Sequence, residues 1–179
     1  MLCTPEQFRI NGGSLNVRSA EVGDAKAVCA LDNAVMKETR FLLRESDESF
    51  TPDGEAEFIR SALSSDRTAF LVAELDGEIV GMASLNAGAL KRIRHRGEVA
   101  VCVLEKACGR GVGTALMQRL IALAPEMGLE QLELEVVSSN ERAKALYRKL
   151  GFAPCGKRPH SLKYPDGSYA DLEIMVKQL

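Results

Sequence analysis

The stretch Val101-Cys102-Val103-Leu104-Glu105-Lys106-Ala107-Cys108-Gly109-Arg110-Gly111-Val112-Gly113-Thr114 decides how the chain is read. Its first part is apolar and β-branched, as a strand is. Three glycines then alternate with other residues, and a helical pattern begins. Glycines lack Cβ atoms, so the backbone can bend sharply and come close to a bound group. The first N–H groups of the new helix have no partner within the helix and point toward one place, with the positive end of the helix dipole behind them. An anion such as a diphosphate suits that place, and Arg110 adds a charge-assisted donor. A tight strand-to-helix turn explains the glycine spacing equally well. Two better-known phosphate loops are excluded: G-x-G-x-x-G in a leading βαβ unit and G-x-x-x-x-G-K-[ST] both fail to match.

Working outward, the helix is expected from Gly111 to about Met127, with Val112, Ala115, Leu116, Leu120 and Leu123 on one side. A strand is expected over Glu98 to Leu104. Before it, the run from Ala69 through Leu75 and the run Glu78 to Met82 flank Asp76-Gly77, a type I′ hairpin signal because both central residues need positive φ. Helices are expected over Asp24 to Met36 and Asp53 to Leu63, and a short strand over Ser14 to Arg18. After the glycine loop come an alternating strand, Leu132 to Val136, and a helix from Asn140 to Leu150. Two more strands, Phe152 to Tyr164 and Tyr169 to Val176, are joined through Pro165-Asp166-Gly167. The fold class is α/β, with helices packed on one central sheet. Residues 1–13 read as a loose N-terminal arm and residues 14–179 as a single domain.

With 179 residues, 46% of them hydrophobic and 27% charged, the chain has the balance of an ordinary globular domain. The formal charge of −2 argues against general nucleic-acid binding, which needs an excess of cations. No apolar run reaches the length of a membrane span. The five cysteines lack C-x-x-C spacing, which argues against a disulfide framework or a zinc site and for a reducing, cytoplasmic compartment. No metal site is expected.

A second motif stands downstream: Asn140-Glu141-Arg142-Ala143-Lys144-Ala145-Leu146-Tyr147-Arg148-Lys149-Leu150-Gly151-Phe152. Together with Cys108-Gly109-Arg110-Gly111-Val112-Gly113, it resembles the GCN5-related N-acetyltransferase (GNAT) superfamily, with its R/Q-x-x-G-x-G/A signature and its N-x-x-A-x-x-L-Y-x-x-x-G-F block. The leading Arg or Gln is Cys108 here. A weaker likeness to bacterial amino-acid and ribosomal-protein N-acetyltransferases rests on residues 95–101 and 166–171. The resemblance implies a mixed, mostly antiparallel central sheet flanked by helices, with a bulged strand splayed from its parallel neighbour to hold acetyl-CoA. It assigns cofactor contacts to Val101, Cys102 and Val103, to Cys108, Gly109, Arg110, Gly111, Val112, Gly113 and Thr114, and to Asn140, Ala143 and Tyr147. Homodimers are common among such relatives.

Acetyl transfer to an amine needs a neutral amine, a donor for the thioester oxygen and a proton or hydrogen bond for the departing thiolate. The resemblance offers the Val103 N–H as the oxygen's donor and Tyr147 as the thiolate's. For the base it offers Glu135, on a Leu-Glu-Val strand, or Glu98, at the start of the bulged strand; an acidic, solvated strand face is the alternative. Cys102 and Cys108 read as small apolar filler and not as nucleophiles. The cations of the Asn140 helix and the run Lys91 to Arg96 read as largely solvated. Contacts to the acceptor, a small amine or a peptide N-terminus, are expected from residues 35–49, 90–96 and 162–168. A non-catalytic acyl-CoA sensor on the same fold is the other functional class.

Overall fold

The computed structural model describes residues 2–10, 13–45, 47–48 and 50–179. The parts of the expected arm at Met1, Asn11 and Gly12, and of the expected acceptor loop at Ser46 and Ser49, lie outside the described residues. The elements run β1 (Glu6–Ile10), β2 (Gly13–Ser19), α1 (Ala25–Glu38), α2 (Pro52–Ser64), β3 (Thr68–Leu75), β4 (Glu78–Ala87), β5 (Arg96–Val103), α3 (Val112–Leu123), β6 (Gln131–Val137), α4 (Glu141–Lys149), β7 (Ala153–Lys163) and β8 (Tyr169–Gln178). They build one eight-stranded sheet in the order β1-β2-β3-β4-β5-β6-β8-β7. Every pairing is antiparallel except that of β5 with β6.

Side-chain alternation on β3 shows how the layers sit. Ala69, Leu71 and Ala73 pack with the apolar face of α3, whereas Phe70 and Val72 pack with Val28 of α1 and Ile59 and Ala62 of α2. The sheet is therefore covered on both faces, which is why β3 is apolar almost throughout. Asp76 and Gly77 both take positive φ, 52° and 81°, as the hairpin signal requires.

Three expectations are corrected. The arm is not loose along its described length, because Glu6–Ile10 pairs with β2 as the edge strand, Glu6 opposite Val17 and Ile10 opposite Gly13. Phe8 and Ile10 fall on one face and pack against the core, too short an alternation to stand out in sequence. The third helix ends at Leu123; Pro125, which lacks an N–H, opens a separate short turn that Gly128 closes at φ 70°. Finally, β5 carries no bulge against β4: the register runs unbroken from Gly81 opposite Val103 to Ala87 opposite Gly97.

Close packing at the start of β5 gives a direct test. A Cβ on Gly97 would stand 2.7 Å from Leu85 Cδ1 and 2.8 Å from Leu129 Cδ1, and both leucines are buried. Gly97→Ala is expected to destabilise the protein by about 1–3 kcal/mol through overpacking, read as a lower midpoint in urea or thermal unfolding.

Candidate active site

The two parallel strands part company early. β5 and β6 pair only at Arg96–Gln131, Gly97–Leu132 and Glu98–Glu133; beyond that β5 follows β4 and β6 follows β8. A wedge opens between them. Backbone alternation decides which groups line it. The Leu104 N–H donates to Val80 O, so the N–H groups of Leu104 and Cys102 point toward β4, and those of Val101 and Val103 point into the wedge.

The cleft that fills this wedge has a volume of about 680 Å³ and is lined by residues of β5, the glycine loop, the first turn of α3 and α4. Gly109 and Gly111 take φ of 75° and 103°, and Gly111 caps α3. The first helical amides, those of Val112, Gly113 and Thr114, precede the first intrahelical bond, Ala115 N–H to Gly111 O. Of the residues expected at a cofactor, Val101, Cys102, Val103, Cys108 through Thr114, Asn140, Ala143 and Tyr147 all line this one cleft.

Helix α4 forms the opposite wall. The Asn140 side chain accepts from the Ala143 N–H at 3.1 Å and so caps the helix. Tyr147 is only 7% exposed and packs edge-on against Phe152, 6.0 Å between centroids. Its hydroxyl makes no hydrogen bond among the described residues. Burial pushes the phenol up to about 12, with Cys102 adding to the effect, so it is protonated throughout the neutral range. Burial, then the charge of Asp32, pushes the Cys102 thiol up to about 12 as well. It is a poor nucleophile there, in keeping with its reading as filler. Lys144, read as solvated, is instead buried: its ammonium donates to Ser138 O and pairs with Glu141 and Glu173, each at 2.9 Å. It ties α4 to the sheet.

Neither expected base lines the cleft. Glu135 is engaged by Arg158 of β7 through two hydrogen bonds, 2.6 and 3.0 Å. Glu98 is exposed at the closed end of the wedge, opposite Glu133. The 90–96 segment is also remote. It precedes β5, at the end away from the glycine loop, and Arg67 fastens it by donating to Gly88 O and Arg94 O at 2.9 and 2.7 Å. The other two acceptor segments do meet. The Arg40 guanidinium lies 3.7 Å over the Tyr164 ring and donates to Ser168 Oγ, while Tyr164 donates to Arg40 O.

The cleft also takes in Phe8, Arg9 and Ile10 of β1, none of them expected from the sequence, and Phe41 after α1, which lies in the segment 35–49 expected at the acceptor. The only local signal of the β1 residues is the Phe8–Ile10 alternation. A second cavity shares Val101 and Cys102 with the cleft on the α1–α2 side of β5.

The family model described as the acetyltransferase (GNAT) family matches residues 36–152. Among solved structures, the acetyltransferase of GNAT family from Streptococcus pneumoniae is 31% identical with a TM-score of 0.88, over 92% of this chain and 99% of that one. The yncA structure from Salmonella typhimurium with its cofactor acetyl-CoA is 25% identical with a TM-score of 0.83, over 93% and 95%. Among curated relatives, the L-methionine sulfoximine/L-methionine sulfone acetyltransferase of Pseudomonas paraeruginosa is 29% identical over 168 residues, 93% of this chain and 95% of that protein.

Proposed function

Because this chain belongs to the acetyltransferase (GNAT) family and is an acyltransferase, we propose that it uses acetyl-CoA and transfers the acetyl group directly to a primary amine. One observation carries the reading: the amides of Val101 and Val103 and the first amides of α3 open on a single cleft that Tyr147 also lines. Bound acetyl-CoA supplies an activated thioester and a thiolate leaving group. The amides of Gly109 through Thr114, with Arg110, hold the diphosphate. The exposed backbone edge of Val101 and Val103 pairs with the pantetheine arm as a neighbouring strand would. Cys102, Cys108, Asn140 and Ala143 complete the walls.

Val103 donates its N–H to the thioester oxygen as charge gathers there. Tyr147 donates its O–H to the sulfur. With the phenol at about 12, Tyr147 is a weaker acid than a thiol, so complete proton transfer to the thiolate is unfavourable. Tyr147 therefore stabilises the leaving group by a hydrogen bond and keeps its proton. The unreactive Cys102 thiol supports direct transfer over a cysteine-bound acetyl group.

The amine arrives protonated and must lose a proton. Of the two strand carboxylates, Glu98 shares its side of β5 with Ala100 and Cys102, which line the second cavity, and reaches it through water. Glu135 serves only if it first leaves Arg158. The acceptor is a free amino acid, another small amine or a peptide N-terminus; the amino-acid derivatives named for the Pseudomonas relative fit that range. Two measurements test the reading. Calorimetry is expected to show saturable binding of acetyl-CoA, and a thiol assay is expected to show amine-dependent release of coenzyme A, with the signal of the exposed Cys155 subtracted. Absence of the first overturns the choice of donor. Binding without release under any amine overturns transfer to amines.

A further inference from the structure

The two cavities differ in charge. The second mixes its signs, with Asp32, Arg44 and Glu55 standing among largely apolar walls. The cleft does not. Arg9 of β1, Arg110 of the glycine loop and Arg142 and Lys149 of α4 line it, and among the described residues no carboxylate does. In a chain of formal charge −2, four cations gathered without an acid focus positive potential on one opening.

Helix α4 sorts its own cations. Lys144 and Arg148 are drawn to Glu141, at 2.9 and 3.8 Å, and Lys144 also to Glu173. Arg142 and Lys149 are exposed, and among the described residues neither pairs with an acid. They lie seven residues apart, two turns of helix or about 10.5 Å, and so share one face. Ala145 stands between them on that face and also lines the cleft. Its methyl group leaves room for a bulky anion, and both long side chains can bend over it. This stripe adjoins the glycine loop, because the next residue, Leu146, closes on Gly113: an added Cβ there would stand 3.2 Å from Leu146 Cδ2.

Coenzyme A carries two anionic groups, its diphosphate and a phosphomonoester on the ribose 3′ oxygen, the latter with a charge of about −1.5 to −2 at neutral pH. In the reading above the loop amides and Arg110 serve the diphosphate, and the monoester has no partner. The ribose ties it to the diphosphate, so it must land beside the glycine loop. We propose that Arg142 and Lys149, reaching across Ala145, form a seat for this 3′-phosphate, so that the protein selects 3′-phosphorylated coenzyme A thioesters over their dephospho forms. The assignment rests on acetyl-CoA as the donor. Arg142 brings a planar fork that can engage two oxygens, and Lys149 a point charge. Arg9, on β1 next to the Ile10 that abuts Gly111, adds to the field without belonging to the stripe.

Calorimetry without any amine, at one fixed ionic strength, compares acetyl-CoA with acetyl-dephospho-CoA. The unaltered protein is expected to bind acetyl-CoA at least about 10-fold more tightly. In the double variant Arg142→Gln with Lys149→Gln the gap should close to within about 3-fold, with acetyl-dephospho-CoA bound within about two-fold of its former affinity. Arg9→Gln should weaken both ligands by the same small factor and leave the gap open, since it lowers the field alone. Equal affinities in the unaltered protein overturn the proposal. So does a gap that survives in the double variant, or one that Arg9→Gln closes as fully. Glutamine is a good helix former at exposed positions. If the double variant still melts too low to measure, Lys149→Gln alone decides, by narrowing the gap about 3-fold or leaving it unmoved. Failure of the unaltered protein to bind either ligand instead sinks the donor reading, so the two failures are separable.

Discussion

Replacing Tyr147 with Phe is expected to lower kcat for an accepted amine about 100-fold, the effect of removing one hydrogen bond made to charge developing in the transition state. The KM for acetyl-CoA should stay within about two-fold, since a hydrogen bond that strengthens only as the thiolate forms contributes little to the ground state. Folding should be almost unaffected. The ring keeps its packing against Phe152, and no buried partner is orphaned, because the hydroxyl has no hydrogen bond among the described residues. A pH–rate profile adds an independent check. With the phenol at about 12, the limbs measured between pH 6 and 10 should not shift in Tyr147→Phe. A turnover number within two-fold of the unaltered protein would remove Tyr147 from the mechanism.

The second large effect is expected from Gly111→Ala. Gly111 caps α3 at φ 103°, a backbone conformation that L side chains rarely adopt. Space is not the obstacle, because an added Cβ would meet Ile10 Cγ2 at an ordinary 3.4 Å. The strain is in the backbone, and relieving it re-aims the amides of Val112, Gly113 and Thr114. Acetyl-CoA affinity should fall at least about 10-fold, and stability by about 1–2 kcal/mol. Gly109→Ala is the matched comparison. At φ 75°, with nothing within 4 Å of an added Cβ, it sits near the left-handed well and should cost less on both counts. Calorimetry and unfolding curves read the two variants side by side. Equal affinity in Gly111→Ala and the unaltered protein would show that these amides do not grip the ligand.

Much of the architecture could be read from residue order because its causes are local. Asp76-Gly77 turns the hairpin, Gly111 opens the helix, and Asn140 caps α4, each through the conformation of a few consecutive residues. What residue order does not carry depends on neighbours far away in the chain. Glu135 sits on an alternating strand in either reading, and only the approach of Arg158 from β7 shows its carboxylate already engaged. Lys144 looks like any helix cation until Glu173 of β8 closes over it. Glu55 carries a local signal: it lies on the same α2 face as the buried Ile59 and Ala62, a charge on an apolar stripe.

Sequence by itself determined most of the elements, β1 excepted, and the turn geometry of the glycine loop, because helix caps, turns and unpaired amides are properties of short backbone segments. Tertiary structure alone decided how the wedge is lined. It brought β1 to the cleft, set two carboxylates and one guanidinium in a single apolar cavity, and kept Glu98 and Glu135 out of the walls. Burial and charge pairing are sums over residues that meet only when the sheet is assembled, and no local pattern carries them.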